Sequence, residues 1–183
     1  MQRRMLLMNR FLCMFVVGLY LAVYAVPLKA DVLETTGDIG SVAVPLAAAV
    51  MTLAKNDKEG TAQFTKSFIA TMAATYGLRY SVEENRPNGH DQSFPSAHTS
   101  SAFAGAAFIQ MRYGWRYGIP AYIVSSVVGY SRIDAKEHWT HDVLASAAIA
   151  IASNIVFTKR FEDVRIIPAV SLSYLGVVVA KQF

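Results

Sequence analysis

The chain has 183 residues, of which 54% are hydrophobic and 16% are charged, and these values indicate a single domain with a substantial core and favour contact with lipid. Its formal net charge of +4 comes entirely from four residues near the beginning of the chain: Arg3, Arg4, Arg10 and Lys29. Since 13 basic residues balance 13 acidic residues from Asp31 onward, no nucleic-acid partner bound through a basic surface is expected.

The first predicted element is an export leader over residues 1–30. A basic stretch, residues 1–10, precedes an uncharged apolar run, residues 11–26, and this order is typical of a secretory signal peptide. Cleavage is expected after Ala30, with cleavage after Ala25 as the alternative. Because the apolar run is close to spanning length, an uncleaved membrane anchor is the competing interpretation. The rest of the chain is predicted to be exported, either periplasmic or attached to the membrane and facing the periplasm.

Cysteine chemistry is excluded from the exported part of the chain. Cys13 is the only cysteine, and it lies inside the apolar run of the leader. A chain that has lost the leader would have no thiol. A disulfide framework, a thiolate nucleophile and a cysteine metal site are therefore all ruled out by counting.

Residues 31–183 are predicted to form one all-α domain, a bundle of packed helices. Five apolar segments rich in Ala, Met and Leu are longer than ordinary strands and are therefore predicted to be helices. They are residues 39–54, 64–78, 100–111, 117–130 and 143–158. None reaches the uncharged length that usually crosses a bilayer, so we interpret them as core helices, with partial membrane insertion as the competing view. Partial alternation of apolar residues within 166–183 predicts a short C-terminal strand pair.

The segment Pro95-Ser96-Ala97-His98 follows a polar loop and is predicted to begin a helix. Proline and serine are typical of helix starts, where backbone N–H groups lack acceptors within the helix. These N–H groups, the Ser96 hydroxyl and the helix dipole would together bind an anion such as phosphate. A capped helix without a ligand is the alternative interpretation of this segment taken alone.

A second polar segment runs from Ser131-Arg132 to His138 and Asp142. If the last helix begins near Trp139, His138 and Asp142 would share its first turn because they are four residues apart. The carboxylate would then accept the Nδ1–H of the imidazole and leave Nε2 with a free lone pair, as a nucleophilic histidine requires. The alternative is an ordinary first-turn acid beside a polar histidine at an interface.

A metal site is a competing interpretation of the same segment. His138, His141 and Asp142 include a His-x-x-His spacing of one helical turn, which can bind zinc. Three arginines are predicted to belong to the same site: Arg79, Arg86 and Arg132. Because converging guanidinium groups repel a cation and attract a phosphate dianion, we expect no metal and no other cofactor, and we interpret His141 as a supporting residue.

These segments resemble the signature of the type 2 phosphatidic acid phosphatase (PAP2) and vanadium haloperoxidase superfamily. That signature runs Lys-x6-Arg-Pro, then Pro-Ser-Gly-His, then Ser-Arg-x5-His-x3-Asp. The third segment matches in full, whereas Arg79 replaces the lysine and Ala97 replaces the glycine. Arginine retains the charge, and alanine retains the backbone N–H, so neither change indicates a loss of activity. The resemblance extends over about residues 64–153.

The resemblance implies the roles of the candidate site residues. His138 would attack phosphorus, Asp142 would orient His138, and His98 would protonate the leaving group, with a phosphohistidine intermediate and without a metal. The phosphate oxygens would be held by five residues: Arg79, Arg86, Ser96, Ala97 and Arg132.

The expected partner is a phosphorylated substrate, with a lipid phosphate or an isoprenyl diphosphate favoured. Three alternatives stay open at this point. They are a soluble periplasmic acid phosphatase that acts on small phosphomonoesters, a vanadate-dependent haloperoxidase, and a non-catalytic envelope protein.

Overall fold

The structure, a computed structural model, describes the backbone of residues 30–161, 163–171 and 174–182 and the side chains of residues 32–161. The predicted leader lies outside the described residues except for Ala30, which is the first residue of the first described helix. Five helices are described: α1 (Ala30–Ala54), α2 (Lys58–Ser81), α3 (Ala97–Tyr113), α4 (Trp115–Asp134) and α5 (Thr140–Phe157). Two strands follow: β1 (Asp163–Ser171) and β2 (Tyr174–Gln182).

All five predicted helices and the predicted strand pair are confirmed. The helices are longer than their apolar segments, and the most displaced boundary is the start of α1, which lies at Ala30 and not at residue 39. Residues 31–38 contain three acids but no proline, so the helix continues through them. The strands pair antiparallel, from Asp163 opposite Gln182 to Ser171 opposite Tyr174.

Helix α3 is central to the bundle, since it contacts each of the other four helices. Its buried residues are mostly small, and the large one among them, Phe108, clusters with Ala48 of α1 and contacts the ring of Phe64 of α2. At Gly105, an added Cβ would lie 2.7 Å from the backbone nitrogen of Pro45 in α1. The α1 and α3 backbones therefore approach closely at a position without a side chain.

Gly114 alone links α3 to α4 and residues 135–139 link α4 to α5, whereas the longer segment 82–96 links α2 to α3. The bundle has two distinct ends. One end contains a buried ion pair between Arg112, at the end of α3, and Asp57, which caps α2. Both side chains are almost fully buried, and Nη2 of Arg112 lies 2.6 Å from Oδ1 of Asp57. The opposite end brings together the last turns of α2 and α4 and the first turns of α3 and α5.

The outer surface of the bundle is apolar along two helices. Val32–Ala54 and Thr140–Phe157 are long and apolar enough to cross a membrane, although length and composition alone are weak evidence for doing so. Large apolar side chains on α1 are exposed: Val32, Ile39, Val42, Leu46, Val50 and Leu53. On α5 the exposed ones are Leu144, Ile155, Val156 and Phe157. The observed exposure of these faces departs from our interpretation of the segments as core helices and agrees better with membrane association.

Candidate active site

The predicted site residues lie on elements that meet at one end of the bundle. Arg79 is in the last turn of α2, and Arg132 is in the last turn of α4. Ser96 caps α3, whose first residues are Ala97 and His98, and Asp142 is in the first turn of α5. The two remaining residues, Arg86 and His138, lie in the connections that precede α3 and α5.

Asp142 is fully buried and is held by several donors. Its Oδ2 accepts hydrogen bonds from the hydroxyl of Ser93 and, at 2.9 Å, from the backbone N–H of Trp139, the residue that caps α5. The same oxygen lies 3.4 Å from Nδ1 of His138. These contacts fix the carboxylate at the start of the helix, where the helix dipole also favours its negative charge.

His138 is buried, with 3% of its side chain exposed. Contrary to our prediction, it does not share the first turn of α5 with Asp142, because the helix begins at Thr140 and His138 lies before the cap. Its backbone N–H donates instead to the carbonyl of Arg132 at 3.1 Å. The ring still faces Asp142, but 3.4 Å is long for a hydrogen bond. Catalytic hydrogen bonds of this kind are often long in a free enzyme and shorten when substrate binds.

Burial lowers the pKa of His138 to about 4. The charge of Asp142 and the backbone of Ser93 favour the protonated ring, but the loss of solvation outweighs them, and the nearby Arg86 lowers the pKa further. The imidazole is therefore neutral over most of the pH range, which is the state that a nucleophile needs.

His98 is more exposed than His138 and lies among charged groups from several elements. Burial lowers its pKa below the usual value, as does the positive charge of Arg132, whereas Asp38 raises it; Arg79 and Arg86 contribute smaller decreases. The Nε2 atom of His98 lies 3.5 Å from Oδ1 of Asp38. The His98 imidazole is thus close enough to all three predicted arginines for their charges to affect its pKa, which supports one shared site for these groups.

Arg132 is nearly buried and has three neighbours that fix its guanidinium. Its Nη1 lies 2.9 Å from Oδ1 of Asp38, and its Nη2 donates to the backbone carbonyl of Glu34 at 2.8 Å. Its Nε donates to the hydroxyl of Ser131 at 3.1 Å. A guanidinium held in this way presents its remaining hydrogens in a fixed direction, which suits recognition of a phosphate.

Arg86 is also held by an acid. Its Nη1 donates to the carboxylate of Glu137, whose other oxygen accepts from Asn88 at 3.0 Å. The Nε–H of Arg86 is buried and has no hydrogen-bond acceptor among the described residues. A phosphate oxygen would supply the missing acceptor.

The start of α3 has the form that the sequence predicts. The Ser96 hydroxyl is buried and accepts from the hydroxyl of Thr99 at 3.0 Å and, at 3.4 Å, from the backbone N–H of Thr99. The first N–H groups of the helix, at Ala97 and His98, have no acceptors within the helix itself. They are available to an anion beyond the helix end.

His141 lies beside Asp142 on the outer side of the site. Its Nε2 is 2.7 Å from Oε1 of Glu84 and 3.2 Å from Oδ1 of Asp142. Ligand atoms of these three residues lie within 4.8 Å of one another, so the metal set that geometry offers contains Glu84 in place of His138. A single hydrogen bond between Nε2 of His141 and Glu84, with the ring beside Asp142, accounts for the same contacts without a metal, and this agrees with our interpretation of His141 as a supporting residue.

Four further residues contribute to the site without having been identified from the sequence: Asp38, Glu84, Ser93 and Glu137. Asp38 and Glu137 pair with predicted arginines, and Glu84 and Ser93 contact the pair His141 and Asp142. For Asp38 a signal was present, since two glycines close to it in the sequence, Gly37 and Gly40, allow a close approach to another element.

Comparisons with known proteins identify the family. A sequence model of the PAP2 superfamily matches residues 41–166, more than half of the chain, and the chain therefore belongs to the PAP2 superfamily. The Lipid A 4'-phosphatase of Helicobacter pylori is 26% identical over 182 residues, a match that covers 87% of this chain and 91% of that protein. The Lipid A 1-phosphatase of Porphyromonas gingivalis is 43% identical over 77 residues, which cover 40% of this chain but only 17% of that protein.

A solved structure shows the same fold. The crystal structure of Aquifex aeolicus LpxE matches with a TM-score of 0.63 at 22% sequence identity, over 77% of this chain and 92% of that chain. The predicted family and the predicted helical bundle are thus both confirmed.

Proposed function

We propose that this chain removes the phosphate of a membrane lipid through a covalent phosphohistidine at His138. The chain is a phosphatase of the PAP2 superfamily, and both curated relatives described above are named for lipid A. The observation on which the proposal rests is the pairing of a buried, neutral His138 with a fixed Asp142 next to Arg86.

In the first step, Nε2 of neutral His138 attacks phosphorus and forms an N–P bond while the P–O bond to the lipid breaks. His98 in its charged form donates its proton to the departing oxygen, which leaves as a lipid hydroxyl. Asp142 accepts the Nδ1–H of His138 and stabilises the positive charge that the ring acquires in the intermediate.

In the second step, water attacks the phosphohistidine. Neutral His98 accepts a proton from this water, the N–P bond breaks, and its electron pair returns to Nε2 of His138. Inorganic phosphate leaves, and both histidines regain their starting states. The phosphate oxygens are held through both steps by the predicted set: Arg79, Arg86, Ser96, the N–H of Ala97 and Arg132.

A lipid substrate is supported by the exposed apolar faces of α1 and α5. Both helices contribute to the site, through Asp38 and Asp142, and both expose large apolar side chains farther along their length. Acyl chains that lie in a bilayer around these faces would leave the phosphate headgroup at the end of the bundle where the site lies. In agreement with the predicted leader, we propose that this end faces the periplasm.

The test is a phosphate-release assay on the full chain in detergent, with lipid A, undecaprenyl diphosphate, phosphatidic acid and p-nitrophenyl phosphate as substrates. We expect kcat/KM to be highest for a lipid and the His138→Ala variant to release no phosphate above background. Hydrolysis of p-nitrophenyl phosphate alone would favour the soluble acid phosphatase instead. Equal release by His138→Ala and the unaltered chain would contradict the proposal.

The same protein preparation tests the two remaining alternatives, a haloperoxidase and a non-catalytic envelope protein. A haloperoxidase would oxidise bromide when supplied with vanadate and peroxide, and the phosphatase should be inhibited by vanadate because it mimics the pentacoordinate phosphorus. A non-catalytic protein would release no phosphate from any of the four substrates.

A further inference from the structure

One acidic side chain among the phosphate-binding residues has no part in the reaction described above. Asp38 is half-exposed, and its Oδ1 lies close to both Arg132 Nη1, at 2.9 Å, and His98 Nε2, at 3.5 Å. A carboxylate at this position repels an anionic substrate, and we therefore expect it to have a function that outweighs this repulsion. We propose that Asp38 is a positioning residue, which orients the guanidinium of Arg132 and keeps His98 protonated as the general acid; this inference rests on the proposed function.

The local packing of α1 brings Asp38 to the site. An added Cβ at Gly37 would lie 1.9 Å from Oγ of Ser131 and 2.8 Å from Nη2 of Arg132, so α1 can approach α4 this closely only with glycine there. One turn earlier, the Glu34 carbonyl accepts from Arg132. A single turn of α1 therefore contacts Arg132 through a carbonyl, a glycine and a carboxylate.

The charges around His98 explain why a general acid would need this carboxylate. Arginines from three elements face the imidazole: Arg79 of α2, Arg86 of the connection before α3, and Arg132 of α4. Each of them lowers the pKa of His98, as burial does, whereas the carboxylate of Asp38 raises it. Without Asp38, His98 would give up its proton at a lower pH, before it could protonate the leaving group.

The test compares Asp38→Asn with the unaltered chain in two measurements. The first is the pH dependence of kcat/KM, in which loss of activity at higher pH reports deprotonation of His98 in the free enzyme. Removing an opposite charge within about 4 Å of His98 should shift the fall of kcat/KM at higher pH toward lower pH by about one unit. The rise of kcat/KM at lower pH, which deprotonation of His138 sets, should stay in place. The second is NMR titration of His98, assigned with His98→Gln, which does not depend on turnover.

Asp91→Asn is the matched control, because Asp91 is exposed, is not among the site residues described above, and its substitution removes the same charge. It should leave both the profile and the titration unchanged, and Asp38→Glu should restore part of the shift. An Asp38→Asn variant with uniformly reduced activity but an unmoved limb and an unmoved His98 titration would overturn the inference. Such a result would leave the hydrolase intact, whereas full activity in His138→Ala would overturn the proposed function itself.

Discussion

At the scale of single residues, two histidines must hold opposite protonation states at the same pH. Burial lowers the pKa of His138 to about 4, so the nucleophile becomes available as pH rises through that value. The pKa of His98 is also below its usual value of about 6.5, so the general acid is lost as pH rises toward neutrality. We expect a bell-shaped kcat/KM profile with an acidic optimum between these limits, measured by phosphate release. A flat profile between pH 4 and 9 would contradict these assignments.

Asp142 should matter to the rate more than to binding. Asp142→Asn keeps the size of the side chain but removes the charge that stabilises the phosphorylated ring, and we expect kcat to fall by about 100-fold or more. Ser93→Ala is the comparison, since it removes one donor to Asp142 and leaves the Trp139 N–H in place. Its effect on kcat should be below about tenfold. Equal effects of the two substitutions, measured with saturating substrate, would argue against a distinct role for the carboxylate.

The proposed catalytic residues could be named from the sequence, and the acids that hold the arginines could not. His98, His138 and Asp142 stand in a fixed local pattern that indicates their chemistry. Asp38 and Glu137 act through contacts with residues 94 and 51 positions away, and such contacts follow from the packing of helices, which local spacing does not specify. The prediction that His138 shares the first turn of α5 with Asp142 was wrong for a related reason, because the exact boundary of a helix is the least certain part of a sequence prediction.

At the scale of elements, the close approach of the α1 and α3 backbones at Gly105 should contribute to the stability of the fold. Gly105→Ala would place a Cβ 2.7 Å from the backbone of Pro45, and because backbone cannot move aside easily, we expect a loss of about 1–3 kcal/mol in the free energy of unfolding. Gly77→Ala is the matched control, since nothing lies within 4 Å of its Cβ position. It should be neutral or stabilising by up to about 1 kcal/mol. Thermal unfolding in detergent measures both, and equal midpoints for the two variants would contradict the described packing.

At the scale of the whole molecule, the exposed apolar faces should be covered by lipid. Because Cys13 is the only cysteine, a Cys13→Ser background allows single cysteines to be placed at chosen sites. We expect Leu46→Cys, on the apolar face of α1, to resist a membrane-impermeant maleimide in spheroplasts until detergent is added. Asp91→Cys, on the exposed connection near the site, should react at once if that end faces outward. Immediate labelling at Leu46→Cys would contradict lipid coverage, and labelling of Asp91→Cys only after lysis would contradict the proposed orientation.

Capture of the phosphorylated protein tests the central proposal most directly. In His98→Ala, p-nitrophenyl phosphate should still phosphorylate His138, because p-nitrophenolate leaves without a proton, but attack by water should be slowed by the loss of the general base. Rapid mixing should then show a burst of p-nitrophenol equal to the enzyme concentration, with a phosphate on His138 that is labile to acid and stable to base. A burst-free time course in an active His98→Ala variant, with no phosphate on the protein, would contradict the phosphohistidine mechanism.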